Sequence, residues 1–508
     1  MKAQVTPCSK DAYTLLHNGA RALAQIEAAG MRVDIPYLDA AIKRTERQVK
    51  RLQARMERTD VARTWRKAYG PKTNFDSTQQ LGDILFDWMG FDGSEETAGG
   101  SYKTDKVALG KIDHPFVRDM LRVRQLGKAL NTNLRGLKRE VQDEYLHPFF
   151  NLHTTTTFRS SSDHPNFQNI PVREEGIKQL VRRAIIPRPG RQLVEVDYSG
   201  IEVRIAACYH QDPVMIEYIR DETKDMHRDM AMECYMLAAE EVTKPIRYCG
   251  KNMFVFPQFY GDWYVDCAKS LWNATSEMGL VTESGLALGE HLKAKGIRRR
   301  GACIPGKDPV PGTFEAHIQA VEHRFWQERF RVYDQWKKDW FKAYQRKGSF
   351  RSKTGFLYQG YLKRNEVINY PVQGSAFHCL LWALSRLVLR ELRRNKMKAL
   401  VIGQIHDSIV SDVPEAEVDD YLLLTQEVMV EKLMKAWPWI CVPLVIEAEV
   451  APVTESWVAK KEVRITLAEH KAGWQGLEPG TREWSGYWIL HPDEQEQMIA
   501  YTRARKIG

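Results

Sequence analysis

The sequence predicts an α/β (α+β) fold in which a small sheet carries acidic residues and helices make up most of the rest. The apolar, β-branched run LVEV at 193–196 reads as a strand and ends at Asp197. A second apolar run, ALVIGQI at 399–405, leads through one residue to Asp407. Apolar residues at helical spacing predict long helices over residues 12–58, 115–140 and 314–346.

Length and composition limit the classes of protein to consider. The chain has 508 residues, which is enough for two to four lobes, and 43% of them are hydrophobic. Lysine and arginine number 74 against 65 acids, a net charge of +9 that favours a polyanionic partner, although many enzymes are mildly basic. We expect no membrane span, because no run approaches 18 apolar residues, and no secretory signal. Eight cysteines without a C-x-x-C pair indicate reduced core residues of an intracellular protein.

The first third of the chain reads as helices joined by polar loops. Gly30 is a plausible stop for the first helix, and Ser77 suits the N-cap of a later one. Residues 92–104 read as a loop. The segment at 115–140 is basic and includes Lys128. Such a helix could follow duplex phosphates, but it could equally be a solvated surface.

A polar stretch without periodicity covers residues 151–173 and reads by default as a surface loop. Its Arg159, Asn166 and Gln168 are nonetheless residue types that reach phosphates, sugars and minor-groove acceptors.

The two strand-borne acids carry the chemistry. Taken alone, Asp197 is an ordinary capping residue at a strand end. Ser408 follows Asp407 and suits a tight hairpin turn. Together, Asp197 and Asp407 are what a two-metal site needs, because two divalent ions about 3.5–4 Å apart share carboxylate ligands. Mg²⁺ prefers such oxygen ligands and keeps water and substrate phosphates as the others. We expect Asp197 to lie at the lip of the core, where it can hold a metal without being buried.

The segment RYCGKNMFVFPQFYG at 247–261 combines cations and aromatics. Arg247 and Lys251 are four apart, as are Phe256 and Tyr260, so each pair shares a helix face. The cations could hold a triphosphate and the aromatics could stack on a base. An aromatic core helix with basic ends is the competing interpretation.

The spacing between these two pairs is irregular. Lys251 and Phe256 are five apart, so a straight α-helix would turn the pairs away from each other by roughly 140°. Pro257 would also clash with the carbonyl of Met253 in a regular helix. A single π-bulge between Met253 and Phe256 would absorb one residue, so we expect a bulge or kink there. The alternative is that the helix starts later and Lys251 lies in a loop.

The segment from residue 369 to residue 451 completes the predicted α/β layer. NYPVQGSAFHC at 369–379 supplies Asn369 and Gln373 ahead of an apolar helix at 380–392. A helix at 415–435 and a strand at 442–451 follow Asp407.

Several of these segments, in this order, resemble the family A DNA polymerases, the class of bacterial DNA polymerase I and many phage replicative enzymes. DYSGIEVR resembles motif A, usually DYSQIELR; RYCGKNMFVFPQFYG resembles motif B; and QIHDS resembles motif C. FRSSSDHPNFQNIPVR is similar to the duplex-binding segment, INYPVQG to the Asn/Gln segment, and IEAAGMRVD to the segment that opens the polymerase domain. The resemblance covers roughly residues 20–458.

The resemblance implies a right-hand architecture with an antiparallel palm sheet and mainly helical fingers and thumb. Its expected parts are an N-terminal helical part of the palm (1–60), the thumb (61–145), the palm with motif A (146–209), the fingers with motif B (210–368), the palm with motif C (369–458), and a C-terminal extension of unknown role (459–508).

The resemblance also implies roles for single residues. Asp197 and Asp407 would bind two Mg²⁺ ions, with Mn²⁺ as a substitute, helped by the Tyr198 carbonyl. Arg247 and Lys251 would hold the nucleotide phosphates, and Lys251 counts with the two acids as catalytic. Other implied nucleotide contacts are Phe256 and Tyr260 at the base, His227 on the nucleotide, and Glu202, which would crowd the sugar 2′ position. Implied primer-template contacts are Arg159, Asn166, Gln168, Asn369, Gln373, His406 and Lys128.

The sequence departs from the family pattern at several points. Gly200 replaces the usual Gln, and Ser408 stands where many relatives carry Glu, so a third carboxylate is missing. Motif B has one extra residue. The chain also begins where the polymerase domain begins, so we expect no proofreading exonuclease in it.

The expected function is template-directed 5′–3′ DNA-dependent DNA synthesis in replication or repair, in the cytoplasm of a bacterial or phage-infected cell. Primer-template DNA and dNTPs are the expected partners, with a separate exonuclease, helicase or processivity factor as further ones, and no membrane. A single-subunit RNA polymerase is the first competitor, against which Glu202 and Phe256 argue. A non-catalytic DNA-binding accessory protein is the second, against which the retained acids and cations argue.

Overall fold

The computed structural model describes residues 3–92, 96–97, 99–171, 174–221, 223–467, 487–492 and 495. The chain divides into two compact units. The larger unit comprises Met1–Arg32, Tyr145–Asn169 and Ile185–Gly508, and the smaller comprises Val33–Glu144 and Ile170–Ala184. The expected C-terminal extension lies largely outside the described residues.

Short strands, some of them consecutive, are separated by single helices or by long runs of helices. The strands are β1 (Gln4–Pro7), β2 (Met31–Arg32), β3 (Tyr145–Leu146), β4 (Phe149–Asn151), β5 (Ser161–Asp163), β6 (Arg191–Tyr198), β7 (Ser349–Arg351), β8 (Phe356–Gln359), β9 (Leu400–Ile405), β10 (Ser408–Pro414), β11 (Ile446–Val450), β12 (Lys461–Leu467) and β13 (Tyr487–Leu490). The α-helices are α1 (Lys10–Ala29), α2 (Ile35–Met56), α3 (Asp60–Tyr69), α4 (Thr78–Gly82), α5 (Lys106–Gly110), α6 (Pro115–Lys128), α7 (Arg135–Glu140), α8 (Glu175–Arg182), α9 (Ile201–His210), α10 (Pro213–Arg220), α11 (Met226–Tyr235), α12 (Lys244–Gly250), α13 (Phe256–Tyr260), α14 (Tyr264–Glu277), α15 (Leu288–Ala294), α16 (Phe314–His323), α17 (Arg331–Lys347), α18 (Arg364–Arg386), α19 (Leu392–Arg394), α20 (Val418–Gln426) and α21 (Leu433–Ala436).

Short π-helical turns interrupt the longer helices, where the backbone bonds to the fifth residue back and one extra residue is accommodated. They lie at Asp83–Trp88, Ala129–Leu134, Lys251–Val255, Arg324–Arg329, Leu387–Glu391 and Glu427–Lys432.

The larger unit is organised around an antiparallel sheet of order β13-β12-β11-β6-β10-β9, which confirms the predicted antiparallel sheet. β6 is paired on both sides, with β10 and with β11. Its Leu193, Val194 and Val196 are fully buried, which explains why apolar residues predominate in the centre of the strand. β9 and β10 form a hairpin whose two-residue turn is His406-Asp407. The central pairing therefore fixes the strand ends that carry both predicted acids.

The helix α1 approaches α18 very closely in the larger unit. A Cβ atom at Gly19 would lie 2.7 Å from the nearest Leu381 side-chain atom, so a side chain there would require Leu381 to move. The stretch Arg364–Arg394 that contains α18 is long and apolar enough to cross a membrane by length and composition alone. However, 78% of its most apolar window is buried inside the protein, which is the setting of a core helix.

Two helix predictions are corrected by the structure. The single helix predicted over 314–346 is α16, a π-turn and α17, separated at Phe330 (φ −108°, ψ 51°). Phe330 is fully buried with its ring 4.9 Å from Phe325, so the chain bends where it inserts this side chain into the core. Asn369 and Gln373, expected ahead of a helix, lie within α18.

The smaller unit is helical and holds α2 to α8. Its core packs around Trp65, whose ring meets Phe75 edge-on at 5.0 Å and Phe116 at 6.3 Å. Arg55 of α2 forms an ion pair with the nearly buried Asp119 of α6. The residues 33–60, assigned from sequence to the palm, belong to this unit. The names palm, thumb and fingers stay predictions for both units.

A buried histidine makes a testable prediction about acid stability. His378 of α18 is fully buried with Nδ1 2.8 Å from the Thr354 hydroxyl, and burial lowers its pKa to about 3. The unfolded chain takes up this proton near pH 6.5, so the folded state loses stability as the pH falls from about 6.5 towards 3. We expect His378→Gln to reduce the slope of unfolding free energy against pH in this window by up to about 1.4 kcal/mol per pH unit. Urea unfolding between pH 4 and 7 measures the slope, with exposed His17→Gln as the control. An unchanged slope would contradict the assignment.

Candidate active site at the ends of the central strands

The two predicted acids come together at one end of the six-stranded sheet. Asp197 lies near the end of β6 directly opposite Ser408, the first residue of β10. Asp407 immediately precedes Ser408 in the hairpin turn, and the Tyr198 N–H donates to the Asp407 carbonyl oxygen over 3.4 Å. Strand pairing therefore brings together two residues that are 210 positions apart in the printed sequence.

The turn that carries Asp407 is held in a sparsely populated backbone conformation. His406 has φ 52°, which is unusual for a residue with a side chain. The Gln404 side-chain amide donates to the His406 carbonyl over 2.6 Å, while its Oε1 accepts hydrogen bonds from Ser160 at 2.5 Å and Gln168 at 2.9 Å. The segment around Ser160 thus supports the turn. Gln168, predicted to contact DNA, is used here within the protein.

Negative charge is concentrated around the two acids. Burial, the largest cause, and the neighbouring carboxylates of Asp407, Glu195 and Glu447 together raise the pKa of Asp197 to about 8. Burial also raises the pKa of Asp407, while the cations of Arg159 and Lys251 oppose that shift. Asp197 is half-buried, as expected of an acid at the lip of the core, although its Oδ1 atom is buried.

A divalent cation fits this arrangement. Oδ1 of Asp197 is buried and has no hydrogen-bond partner among the described residues. A buried carboxylate oxygen is costly unless it is paired or bound to metal, and the crowded acids would be relieved by positive charge. In the described part of the chain, no group of three or more His, Cys, Asp or Glu side chains is arranged to hold a metal ion. The ligand set implied by the resemblance contains only two carboxylates beside the carbonyl of Tyr198, whose own side chain is buried.

The predicted bulge in the 247–261 helix is confirmed. A π-turn at Lys251–Val255 separates α12 from α13, and the Phe256 N–H donates to the Lys251 carbonyl five residues back. The extra residue is absorbed there, so the cationic and aromatic pairs share one face. Lys251 Nζ lies 5.3 Å from the Phe256 ring centre, and the Phe256 and Tyr260 rings stack at 6.0 Å.

The first cation of this face is held by residues of α11 and its N-cap. Nε of Arg247 donates to Asp225 over 2.6 Å, and its Nη2 lies 3.4 Å from Nδ1 of His227. Burial, the largest cause, and the cations of Lys251 and Arg247 together lower the pKa of His227 to about 4. His227 is therefore neutral at pH 7 and adds no charge to that of the two cations.

Glu202 connects its own segment, DYSGIEVR, to the 247–261 helix. Its carboxylate accepts a hydrogen bond from the Tyr260 hydroxyl and forms an ion pair with Arg159 at 3.4 Å. Glu202, Phe256, Tyr260 and Asn369 line one small cleft. Burial and the adjacent Glu202 raise the pKa of Tyr260, so its hydroxyl stays protonated and keeps donating.

The backbone conformation explains why position 200 is glycine where motif A usually has glutamine. Gly200 precedes α9 with φ 60° and ψ 36°, the left-handed conformation that glycine adopts without steric cost. A side chain at this position would be strained in this backbone.

The remaining predicted contacts are spread over the protein. Asn369 and Gln373 lie one turn apart on α18 and are half-buried. Asn166 is exposed, and its side chain accepts a hydrogen bond from the Asn169 N–H over 3.2 Å. Lys128 is exposed in the last turn of α6, in the smaller unit.

Sequence reasoning missed several residues of this site. Glu195 lies two positions before Asp197, so strand alternation in LVEVDYSG already places both on one face. Asp225, two positions before His227, had no predicted role. Glu447 and Gln404 could not be found in this way, because only strand register and long-range hydrogen bonds bring them to the acids.

Comparison with known proteins agrees with this geometry. The family model described as DNA polymerase family A matches residues 42–278 and 346–458. DNA polymerase I of Geobacillus stearothermophilus is 29% identical over 413 residues, which is 80% of this chain and 42% of that protein. The thermostable DNA polymerase I of Thermus thermophilus is 29% identical over 451 residues, covering 87% of this chain and 48% of its own length. The chain thus spans less than half the length of these relatives.

A solved structure shows the same fold. The POL domain of Pol1 from M. smegmatis, in complex with DNA primer-template and dNTP, matches with a TM-score of 0.66 and 24% sequence identity, covering 87% of this chain and 70% of that one. Since the family model matches well over half of the chain, in two blocks that contain both acids and the 247–261 helix, the chain belongs to DNA polymerase family A.

Proposed function

We propose that this chain is a template-directed DNA-dependent DNA polymerase that extends a primer in the 5′–3′ direction. The observation that carries the proposal is the convergence of Asp197 and Asp407 on one strand end, with the cation Lys251 close enough to act on Asp407. The proposed partners are primer-template DNA and dNTPs. The proposed setting is the cytoplasm of a bacterial or phage-infected cell.

In the proposed reaction, Asp197, Asp407 and the Tyr198 carbonyl would hold two divalent ions, whose charge would favour ionisation of the primer 3′-hydroxyl and phosphoryl transfer. Arg247 and Lys251 bind the triphosphate and offset the charge on the pyrophosphate that leaves. Asp225 orients the Arg247 guanidinium for that contact. These groups act by positioning and charge, because little covalent chemistry is left for the protein in phosphoryl transfer.

The base and sugar are proposed to bind along the remainder of the same face. Phe256 and Tyr260 form a stacked apolar wall, and their cleft is closed on one side by Glu202. Because Tyr260 and Arg159 both hold the Glu202 carboxylate, it cannot move away from an added 2′-hydroxyl without losing both contacts. This feature favours DNA over RNA synthesis and argues against the single-subunit RNA polymerase alternative.

The primary test is primer extension with Mg²⁺. We expect Asp197→Asn and Asp407→Asn each to lower extension about 1,000-fold or more, because loss of a metal-binding charge removes several kcal/mol of transition-state stabilisation. The exposed Asp420→Asn is the matched control. Circular dichroism checks folding. Near wild-type extension by Asp407→Asn would refute the proposal, and extension by neither variant nor wild type would favour the non-catalytic accessory protein.

Glu202 is predicted to select the sugar. Removing its side chain opens space for a 2′-hydroxyl, so we expect Glu202→Ala to raise ribonucleotide relative to deoxynucleotide incorporation about tenfold or more. Single-nucleotide kcat/KM values for dNTP and NTP measure the ratio. Glu202→Gln keeps the volume and separates steric exclusion from charge, while exposed Glu217→Ala is the control. An unchanged ratio in Glu202→Ala would exclude the gate.

The π-turn is predicted to tolerate loss of one residue but not gain of one. Deleting the half-buried Asn252 in a Pro257→Ala background, which avoids the proline clash, would put Lys251 and Phe256 four apart, as in a regular α-helix, and keep both pairs on one face. Inserting an alanine after Asn252 would rotate the pairs apart by about a further 100°. We expect dNTP KM to change less than about tenfold in the deletion, and extension to fall at least 100-fold in the insertion. Equal losses in the two variants would show that the shared face is not what matters.

A further inference from the structure

One face of the sheet carries more acid than the two predicted metal ligands. Asp197 and Glu195 are two apart on β6 and therefore share a face, and β11 places Glu447 and Glu449 directly opposite them. Ser408 of β10 lies opposite Asp197 on the same face. The position at which many relatives carry a glutamate is thus diagonal to Glu195 in this protein.

The Glu195 carboxylate is held in a fixed position. The Ser408 hydroxyl lies 3.1 Å from its Oε1, and the Trp457 indole N–H donates to its Oε2 over 2.9 Å. Lys460 forms an ion pair with the same oxygen and a second one, at 2.7 Å, with Glu449. The Lys460 side chain is only 6% exposed, and the Trp457 ring stacks on Phe167 at 5.3 Å. Glu195 is therefore positioned by donors from two other segments of the chain.

Glu195 and Ser408 depend on each other physically. A carboxylate at position 408 would lie beside that of Glu195 and close to Asp197. Neighbouring carboxylates repel each other, so it is unfavourable for all of them to be ionised. The small hydroxyl of Ser408 instead lies within hydrogen-bond distance of two acceptors, Glu195 Oε1 at 3.1 Å and the Ile405 carbonyl at 3.0 Å, and it is next in sequence to Asp407. The pair therefore joins the strand of Asp197 to the turn that carries Asp407.

We propose that Glu195 supplies the third carboxylate of this site from β6, in place of one at position 408, and acts as a positioning residue. It adds negative charge beside Asp197 and, through Ser408, fixes the Asp407 turn for divalent-ion binding. This inference rests on the proposed polymerase function. In a purely structural role, Glu195 would only anchor Lys460 and Trp457 to the sheet.

Divalent-ion affinity separates these two roles. We expect Glu195→Gln to weaken binding of Mn²⁺ alone about tenfold, as for residues that orient metal ligands, measured by the electron paramagnetic resonance signal of free Mn²⁺. The concentration of Mg²⁺ needed for half-maximal extension should rise by a similar factor. Glu449→Gln removes the other carboxylate that pairs with Lys460, so it should not weaken Mn²⁺ binding even if it lowers thermal stability. Wild-type Mn²⁺ affinity in Glu195→Gln, or an equal loss of affinity in Glu449→Gln, would overturn the proposal.

A double substitution gives an independent check. Ser408→Glu alone should weaken Mn²⁺ binding, because two carboxylates then crowd one space. The double variant Glu195→Ala/Ser408→Glu should return the affinity to within about threefold of wild type, a coupling expected of residues in contact. If the double variant does not regain Mn²⁺ affinity, Glu195 does not take the place of a carboxylate at position 408. Asp407→Asn keeps the proposed function distinguishable: Mn²⁺ binding and extension that both survive this change would refute the metal site itself, whatever Glu195 does.

Discussion

The pairing of β6 with β10 is the constraint on which the rest of the site depends. It sets Asp197 opposite Ser408 and so delivers Asp407 to the same strand end. Every other feature of the centre follows from the concentration of negative charge that this pairing creates. The cations Arg159 and Lys251 act on Asp407 from outside the sheet, and Lys460 offsets the charge of Glu195 and Glu449 from within it. Without the strand register, these charged side chains would not lie close together.

The helix of residues 247–261 faces a different problem, which is geometric. One extra residue between its cationic and aromatic halves would point them in different directions on a regular helix. The π-turn removes the mismatch within Lys251–Val255 and leaves both halves facing the same cleft. Pro257 is compatible with this, because the helix pattern is already broken on its N-terminal side, where a proline ring would otherwise meet a carbonyl.

The sequence was sufficient for local and chemical features and insufficient for long-range ones. Apolar runs that end in an acid predicted both strand ends, and residue spacing predicted the π-turn. The helix over 314–346 was predicted without its break, since periodicity does not show that Phe330 must insert into the core. The burial of the Asp197 Oδ1 atom could not be predicted, because it depends on residues that strand pairing brings next to β6. Glu447 and Gln404 were missed for the same reason: their neighbours are distant in sequence, and local pattern carries no information about register.

The π-turn also has a consequence for finding relatives of this protein. A search pattern that requires fixed intervals between the arginine, lysine, phenylalanine and tyrosine of this helix rejects the chain, although the side chains occupy one face in space. A pattern that allows one additional residue after the lysine accepts it. Surveys of uncharacterised sequences that use such a pattern will therefore recover members of this family that strict spacing rejects.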